Sequence, residues 1–144
     1  MGEGFYTLKG YMLLEHKRLT ASMEDYLEMI YRLGDQGYVR ITALAHALHV
    51  KPPSASKMAA NLRGQELIEF PKYGYITLTD LGRHVGAYLV HRHQVVGRLL
   101  CTINQTQNEL EEVEKIEHFL SPRTVANIEK FLDSLPPQAG KEKG

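Results

Sequence analysis

Six side chains with oxygen or nitrogen donors lie in three separate segments that have helical periodicity. They are Asp25 and Glu28, then His93, then Glu114, Glu117 and His118. Residues three or four apart project from the same face of an α-helix, so the first pair and the last three can each bind an ion from one side. Burying four carboxylates together is costly unless a cation neutralises them. If the three segments meet, these residues predict a divalent-metal site.

The donor types indicate which ions such a site would bind. Carboxylate oxygens with a minority of imidazole nitrogens and no thiolate favour Mn²⁺ or Fe²⁺ over a softer ion. Four carboxylates can neutralise about two divalent ions per chain, with one carboxylate bridging them. Zn²⁺ binds the same donors but favours fewer of them, and it joins Fe²⁺, Co²⁺ and Cd²⁺ as a possible substitute for Mn²⁺.

Each donor also has a purely structural interpretation. Paired glutamates on a helix usually form a solvated face. Asp25 can stabilise a helix N-terminus through the helix dipole, and His93 can be a core histidine. Spacing alone leaves these alternatives open.

Composition limits the classes of protein that need to be considered. The chain has 144 residues, 43% of them hydrophobic, and a formal net charge of zero. Residues 40–83 are nevertheless net positive, with six basic and three acidic side chains, whereas residues 109–117 hold five Glu and one Lys. The single cysteine, Cys101, excludes an internal disulfide framework, and no apolar run reaches the roughly 20 residues of a membrane span. We expect a cytoplasmic protein without a membrane partner.

The order of predicted elements is that of a winged helix-turn-helix followed by helices. We predict a first helix over about Met23–Leu33, with Ser22 as its N-cap. A second helix begins at Thr42, and a third runs over about Pro53–Gln65. A β-hairpin with a Lys-Tyr-Gly tip follows. Thr79 caps a long helix over about Asp80–Thr102, and two amphipathic helices follow, the second starting at Ser121-Pro122. The predicted fold is mainly α, with a two-stranded wing. The predicted domains are 1–21 (extension), 22–79 (DNA binding), 80–136 (helical) and 137–144 (disordered tail).

The segment KPPSASKM starts the helix that would enter the major groove. Small and basic side chains there let the backbone approach DNA, and serine hydroxyls and helix N-terminal amides suit phosphate. The candidate DNA-contacting residues, including two at the wing tip, are Lys51, Pro53, Ser54, Ser56, Lys57, Lys72 and Tyr73. Taken singly, these features also fit a capped helix and a surface turn.

Four segments, SMEDYLEMIY, PPSASKM, LVHRH and EVEKIEHFL, resemble the manganese-responsive regulators of the diphtheria toxin repressor family. All six donor positions match that branch in residue type. Iron-responsive relatives typically carry Met at the position of Asp25 and Cys at that of Glu114, so the resemblance favours manganese. It implies an all-α dimerisation domain, a homodimer, a palindromic double-stranded operator, and Mn²⁺ as co-repressor of metal-uptake genes.

Three other interpretations compete with this one. The first is a winged-helix regulator whose acidic helix is only a solvated or dimer-facing surface. The second is a winged-helix regulator that responds to iron or another divalent metal. The third is a di-metal carboxylate oxidase, but such bundles use a different donor pattern, and no nucleophile with a paired base is evident. We therefore expect no enzyme and no small organic substrate.

Overall fold

The computed structural model describes residues 19–71 and 75–137. The chain divides into two compact units, Met1–His91 and Arg92–Gly144. Most of the predicted extension, the wing-tip residues Lys72 and Tyr73, and the predicted tail after residue 137 lie outside the described residues.

The described part of the first unit begins with three helices: α1 Ala21–Leu33, α2 Ile41–Leu48 and α3 Pro52–Gly64. A short 3₁₀ turn, Gly34–Gln36, follows α1. The predicted cap of α1 was wrong, because the hydroxyl of Thr20, not that of Ser22, accepts a hydrogen bond from the Met23 amide at 3.1 Å. Thr20 also accepts through its carbonyl from Glu24, so α1 begins two residues earlier than predicted.

The turn between α2 and α3 depends on one residue with an unusual backbone conformation. His49 lies in the left-handed region, with φ 58° and ψ 42°, and its amide donates to the carbonyls of Ala45 and His46. This arrangement satisfies the free carbonyls at the end of α2. Pro52 then occupies the first helical position of α3, where its missing N–H and fixed φ cost little.

The predicted two-stranded wing is confirmed. Strands β1 (Ile68–Glu69) and β2 (Thr77–Leu78) pair antiparallel, with Ile68 opposite Leu78. Val39 adds a single bridge to Ile76, which ties the segment between α1 and α2 to the hairpin. Side chains that alternate between the two faces of the hairpin allow Ile68 and Ile76 to be buried.

One apolar core holds the first unit together. It takes side chains from the three helices and the hairpin, including Leu27 and Ile30 of α1, Leu44 of α2, Leu62 of α3, and Ile68 of β1. Each of these side chains is at most 2% exposed. The helical spacing in α1 and the alternation in the hairpin therefore point to the same interior, as the sequence pattern predicted.

The long helix α4, Asp80–Asn104, contains the boundary between the two units. The Thr79 hydroxyl accepts from the Gly82 amide at 2.9 Å, which confirms the predicted cap. Val85 and Leu89 of α4 pack into the core of the first unit. Gly82 lies so close to the hairpin that a Cβ there would come within 1.9 Å of the Leu67 carbonyl oxygen.

The second unit is helical. After α4 come α5 (Leu110–Ile116), a 3₁₀ turn (Glu117–Phe119) and α6 (Pro122–Asp133). Val96 and Leu100 of α4 pack with Val113 of α5. Ser121 caps α6 by accepting from the Thr124 amide at 3.1 Å, as predicted. Within residues 19–71 and 75–137, none of the helices has both the length and the apolar character needed to span a bilayer.

Candidate metal centre and DNA-binding surface

The α1 donors differ in exposure. Glu28 is 8% exposed, whereas Asp25 is exposed. The guanidinium of Arg32, one turn further along α1, donates to Glu28 Oε2 from Nη2 at 2.7 Å and from Nε at 3.1 Å. A buried carboxylate requires such a partner, because removing its charge from water is costly. Glu28 is therefore held in one orientation.

A second acid on α1 is buried, although the sequence did not lead us to predict it. Glu24 is as buried as Glu28 and lies one turn before it. The i, i+4 spacing of Glu24 and Glu28, on the same side as Leu27, was the available signal.

In the second unit, His93 and Glu117 form the closest pair of predicted donors. The His93 Nδ1 lies 3.2 Å from Glu117 Oε1 and 3.4 Å from Oε2, and the side chain of Glu117 is 2% exposed. The imidazole donates this hydrogen bond, since an ionised carboxylate only accepts. A buried carboxylate and an imidazole 24 residues apart in sequence thus face each other.

His118 has a different partner. The Arg92 guanidinium nitrogen Nη2 lies 3.1 Å from His118 Nδ1. Because a guanidinium has donors only, this ring nitrogen of His118 accepts. Arg92 is itself buried, with 2% exposure.

Glu114 is not arranged as the sequence predicted. We expected Glu114, Glu117 and His118 on one α-helical face, but α5 ends at Ile116 and the last two residues lie in the 3₁₀ turn. Glu117 and His118 therefore do not continue the α-helix that carries Glu114. Glu117 is buried while Glu114 is exposed.

His93 and Glu117 fit a divalent cation in donor type and in spacing. Two adjacent ligands at bond lengths of about 2.1 Å and a right angle are about 3 Å apart. His93 Nδ1 and Glu117 Oε1 are separated by 3.2 Å, so a cation that replaced their shared proton could bind both atoms. The donors are oxygen and nitrogen without sulfur, which suits a hard or borderline ion.

The exposed face of α3 carries the candidate DNA-contacting side chains. Pro53, Ser54 and Lys57 are exposed, while Ala55 and Ala59 face the core. Ser56 is only partly exposed. Asn61 is exposed one turn after Lys57, and it was not among the residues predicted from the KPPSASKM segment. Its amide can read a base edge, and the i, i+4 spacing from Lys57 was the signal that could have identified it.

Few backbone amides at the start of α3 are available to a phosphate, so the expected amide contacts stay a prediction. Pro52 and Pro53 have no N–H, and the Ser54 amide donates to the Lys51 carbonyl at 3.0 Å. Side chains are therefore the more numerous candidates for phosphate contacts at this end of α3.

A further cation lies beside the wing. Arg40 is exposed, with its guanidinium carbon 4.9 Å from the centre of the Tyr75 ring. The Tyr38 and Tyr75 rings are 4.6 Å apart. Stacking on an aromatic ring restricts an arginine side chain while its N–H groups remain available to a phosphate. Sequence analysis did not select Arg40, because the pairing with Tyr75 joins residues that are distant in sequence.

Comparison with known proteins matches both parts of the chain. Residues 18–76 match the model of the iron dependent repressor N-terminal DNA binding domain, and residues 79–136 match that of the iron dependent repressor metal binding and dimerisation domain. The HTH-type transcriptional regulator MntR of Oceanobacillus iheyensis is 40% identical over 111 residues, 76% of this chain and 76% of that protein. The same-named protein of Bacillus subtilis is 39% identical over 126 residues, 86% of this chain and 89% of the relative.

Solved structures agree with this result. The metal-dependent transcriptional regulator MtsR superposes with a TM-score of 0.70 at 28% identity, over 80% of this chain and 55% of that one. The manganese regulator SloR gives 0.68 at 27% identity, over 78% and 54%. This chain thus spans about half the length of those solved chains. The predicted fold class and the resemblance to the diphtheria toxin repressor family are both confirmed, and the chain belongs to this family of iron-dependent repressors.

Proposed function

We propose that the chain is a homodimeric, manganese-responsive transcriptional regulator that represses metal-uptake genes with Mn²⁺ as co-repressor. The observation that carries this proposal is the contact of His93 with the buried carboxylate of Glu117. This pair lies in the region that matches a metal-binding domain, and it follows a winged helix-turn-helix. Its relatives named MntR and its likeness to the manganese regulator SloR support manganese as the ion. An operator in chromosomal DNA would make the cytoplasm its place of action.

The proposed ligand set follows from donor chemistry and motif spacing. It comprises Asp25, Glu28, His93, Glu114, Glu117 and His118, for about two ions per chain. A bound cation supplies the positive charge that neutralises these carboxylates. Asp25 and Glu28 lie on α1, which packs in the core of the DNA-binding unit, so fixing these side chains changes which conformations that unit prefers. DNA that selects the same conformations then tightens metal binding by the same factor.

The test measures DNA binding with each ion. A duplex would be enriched from a random library by the full chain in the presence of Mn²⁺, and its affinity would then be measured by fluorescence anisotropy with EDTA, Mn²⁺, anaerobic Fe²⁺, Co²⁺, Zn²⁺ or Cd²⁺. We expect Mn²⁺ to tighten binding about 5- to 150-fold. A stronger response to Fe²⁺ would favour the iron-responsive alternative. DNA affinity that no divalent ion changes would refute the proposal, and a palindromic enriched sequence would support a twofold-symmetric operator.

We predict that Lys57→Ala weakens DNA binding without changing metal affinity. Lys57 is exposed on the face of α3 that would meet DNA. Loss of one phosphate contact reduces the steepness of the plot of log DNA affinity against log salt concentration by about one. The expected loss in affinity is about tenfold at moderate salt. Lys130→Ala removes an exposed lysine from α6 and serves as the matched control. Equal salt slopes for the two variants would contradict the assignment of α3.

Dimerisation is proposed through exposed apolar side chains of the second unit. Phe131 is 58% exposed and lines an open groove of about 310 Å³ together with Leu99 and Ile128. Ile103 and Phe119 are also exposed. A second copy of the chain is the proposed occupant, because this region matches a dimerisation domain.

We predict that Phe131→Glu weakens the dimer on the order of 100-fold. Each of the two symmetry-related positions would lose about 1.5 kcal/mol or more of apolar burial. Ala126→Glu adds the same charge to α6 at an exposed position that does not line the groove. Sedimentation velocity across a concentration series checks the result. Identical dissociation constants for the two variants would exclude this surface.

A further inference from the structure

Arg92 is a buried cation that contacts a proposed metal ligand. It is 2% exposed, and its Nη2 lies 3.1 Å from His118 Nδ1. We propose that Arg92 competes with the divalent cation for His118 and so sets the metal affinity of the site. This inference rests on the proposed function, since it assumes that His118 binds metal.

The chemistry of the two groups makes the contact and metal binding mutually exclusive. A guanidinium has no acceptor, so His118 Nδ1 accepts through its lone pair and the ring proton is on Nε2. A cation at Nδ1 needs that same lone pair. A cation at Nε2 requires the proton to move to Nδ1, where it would point at the Arg92 donors. Arg92 must therefore leave His118 whichever nitrogen binds the cation.

The second arginine–ligand contact in the described residues provides a contrast. Arg32 donates two hydrogen bonds to Glu28, both to Oε2. A carboxylate has two oxygens with about four lone-pair sites, so Glu28 can bind a cation and keep Arg32. Arg32 then orients the ligand, as outer partners of metal ligands do. The two arginines should thus affect metal affinity in opposite directions.

The first experiment is a Mn²⁺ titration of the full chain without DNA, read from the electron paramagnetic resonance signal of free Mn²⁺. We expect Arg92→Met to bind Mn²⁺ about tenfold more tightly than wild type, the scale of a charge-assisted hydrogen bond. Arg32→Met should bind Mn²⁺ more weakly than wild type, because Glu28 loses the partner that orients it. In a His118→Gln background the gain from Arg92→Met should disappear, which separates competition for His118 from a general loss of positive charge. If Arg92→Met has a lower melting temperature than wild type, the same Mn²⁺ titration is made with Arg92→Gln instead.

A second readout uses the wild-type apo protein and needs no variant. Long-range ¹H–¹⁵N correlation spectra report the tautomer of each histidine, and His118 should carry its proton on Nε2. His118 protonated at Nδ1 would overturn the inference, because that ring nitrogen could not accept from Arg92. Wild type that binds metal while Arg92→Met binds no more tightly would overturn the inference and leave the proposed function intact. Wild type that binds no divalent ion would overturn both.

Discussion

Glu117→Ala should abolish metal-dependent DNA binding while leaving the fold intact. Glu117 is the most buried of the proposed ligands, and it is hydrogen-bonded to His93 at 3.2 Å. Its removal deletes a carboxylate and leaves the imidazole without this partner. Because changes to groups that merely support ligands already cost 10- to 100-fold, we expect a loss of Mn²⁺ affinity on the order of 100-fold or more.

The controls for this prediction separate charge, volume and position. Glu117→Gln keeps the volume and removes the charge, so it should lose nearly as much affinity as Glu117→Ala. Glu112→Ala removes an exposed carboxylate from the first turn of α5 and should bind Mn²⁺ like wild type. Calorimetry measures metal binding, anisotropy measures DNA binding, and circular dichroism checks helix content. Wild-type metal affinity in Glu117→Ala would exclude Glu117 from the site.

Gly82→Ala should produce the largest loss of stability among single-methyl additions to the described glycines. The added Cβ would lie 1.9 Å from the Leu67 carbonyl oxygen and 3.0 Å from its carbon. Both are backbone atoms, so no side-chain rotation relieves the overlap. The Leu67 carbonyl is also fixed by the Thr79 amide at 3.1 Å. We expect a destabilisation of about 3 kcal/mol, with a melting temperature lowered by roughly 10 °C.

Gly64→Ala is the matched control for this substitution. Gly64 is the last residue of α3, and an added Cβ there meets nothing within 4 Å. Alanine also has a higher helix propensity than glycine, so this variant should be as stable as wild type or slightly more stable. Thermal unfolding by circular dichroism compares the two. Equal melting temperatures for Gly82→Ala and Gly64→Ala would contradict the prediction, because they would mean that α4 can move away from the wing without loss of stability.

Much of the first unit could be predicted from the spacing of its apolar residues, because the side chains that recur at the helical or strand period are the ones that become buried. Leu27 and Ile30 follow the helical period, and Ile68 and Ile76 occupy buried positions of the hairpin. The ends of helices were less certain. Thr20 and Ser22 are both good caps, and sequence offers no way to choose between them. Leu19 packs against the core, which accounts for the choice of Thr20.

The candidate site was harder to predict because its geometry depends on packing between distant segments. Motif spacing identified His93 and Glu117 but could not show that they are 3.2 Å apart. The end of α5 was missed because residues three apart share a face in both α and 3₁₀ helices, so Glu114 and Glu117 fit either. Arg92 was overlooked for a similar reason, since a basic residue beside a histidine gives no signal until His118 is placed against it.

The paired prolines at the start of α3 also affect how quickly a denatured molecule can recover. In unfolded chains each of the peptide bonds before Pro52 and Pro53 is cis in about 10–30% of molecules, so roughly 20–50% carry at least one cis bond. The described chain has both bonds trans. Isomerisation takes on the order of 10–100 s at room temperature. After dilution from denaturant, a fraction of molecules should therefore regain the ability to bind DNA only on this slow timescale, and a prolyl isomerase should accelerate that recovery.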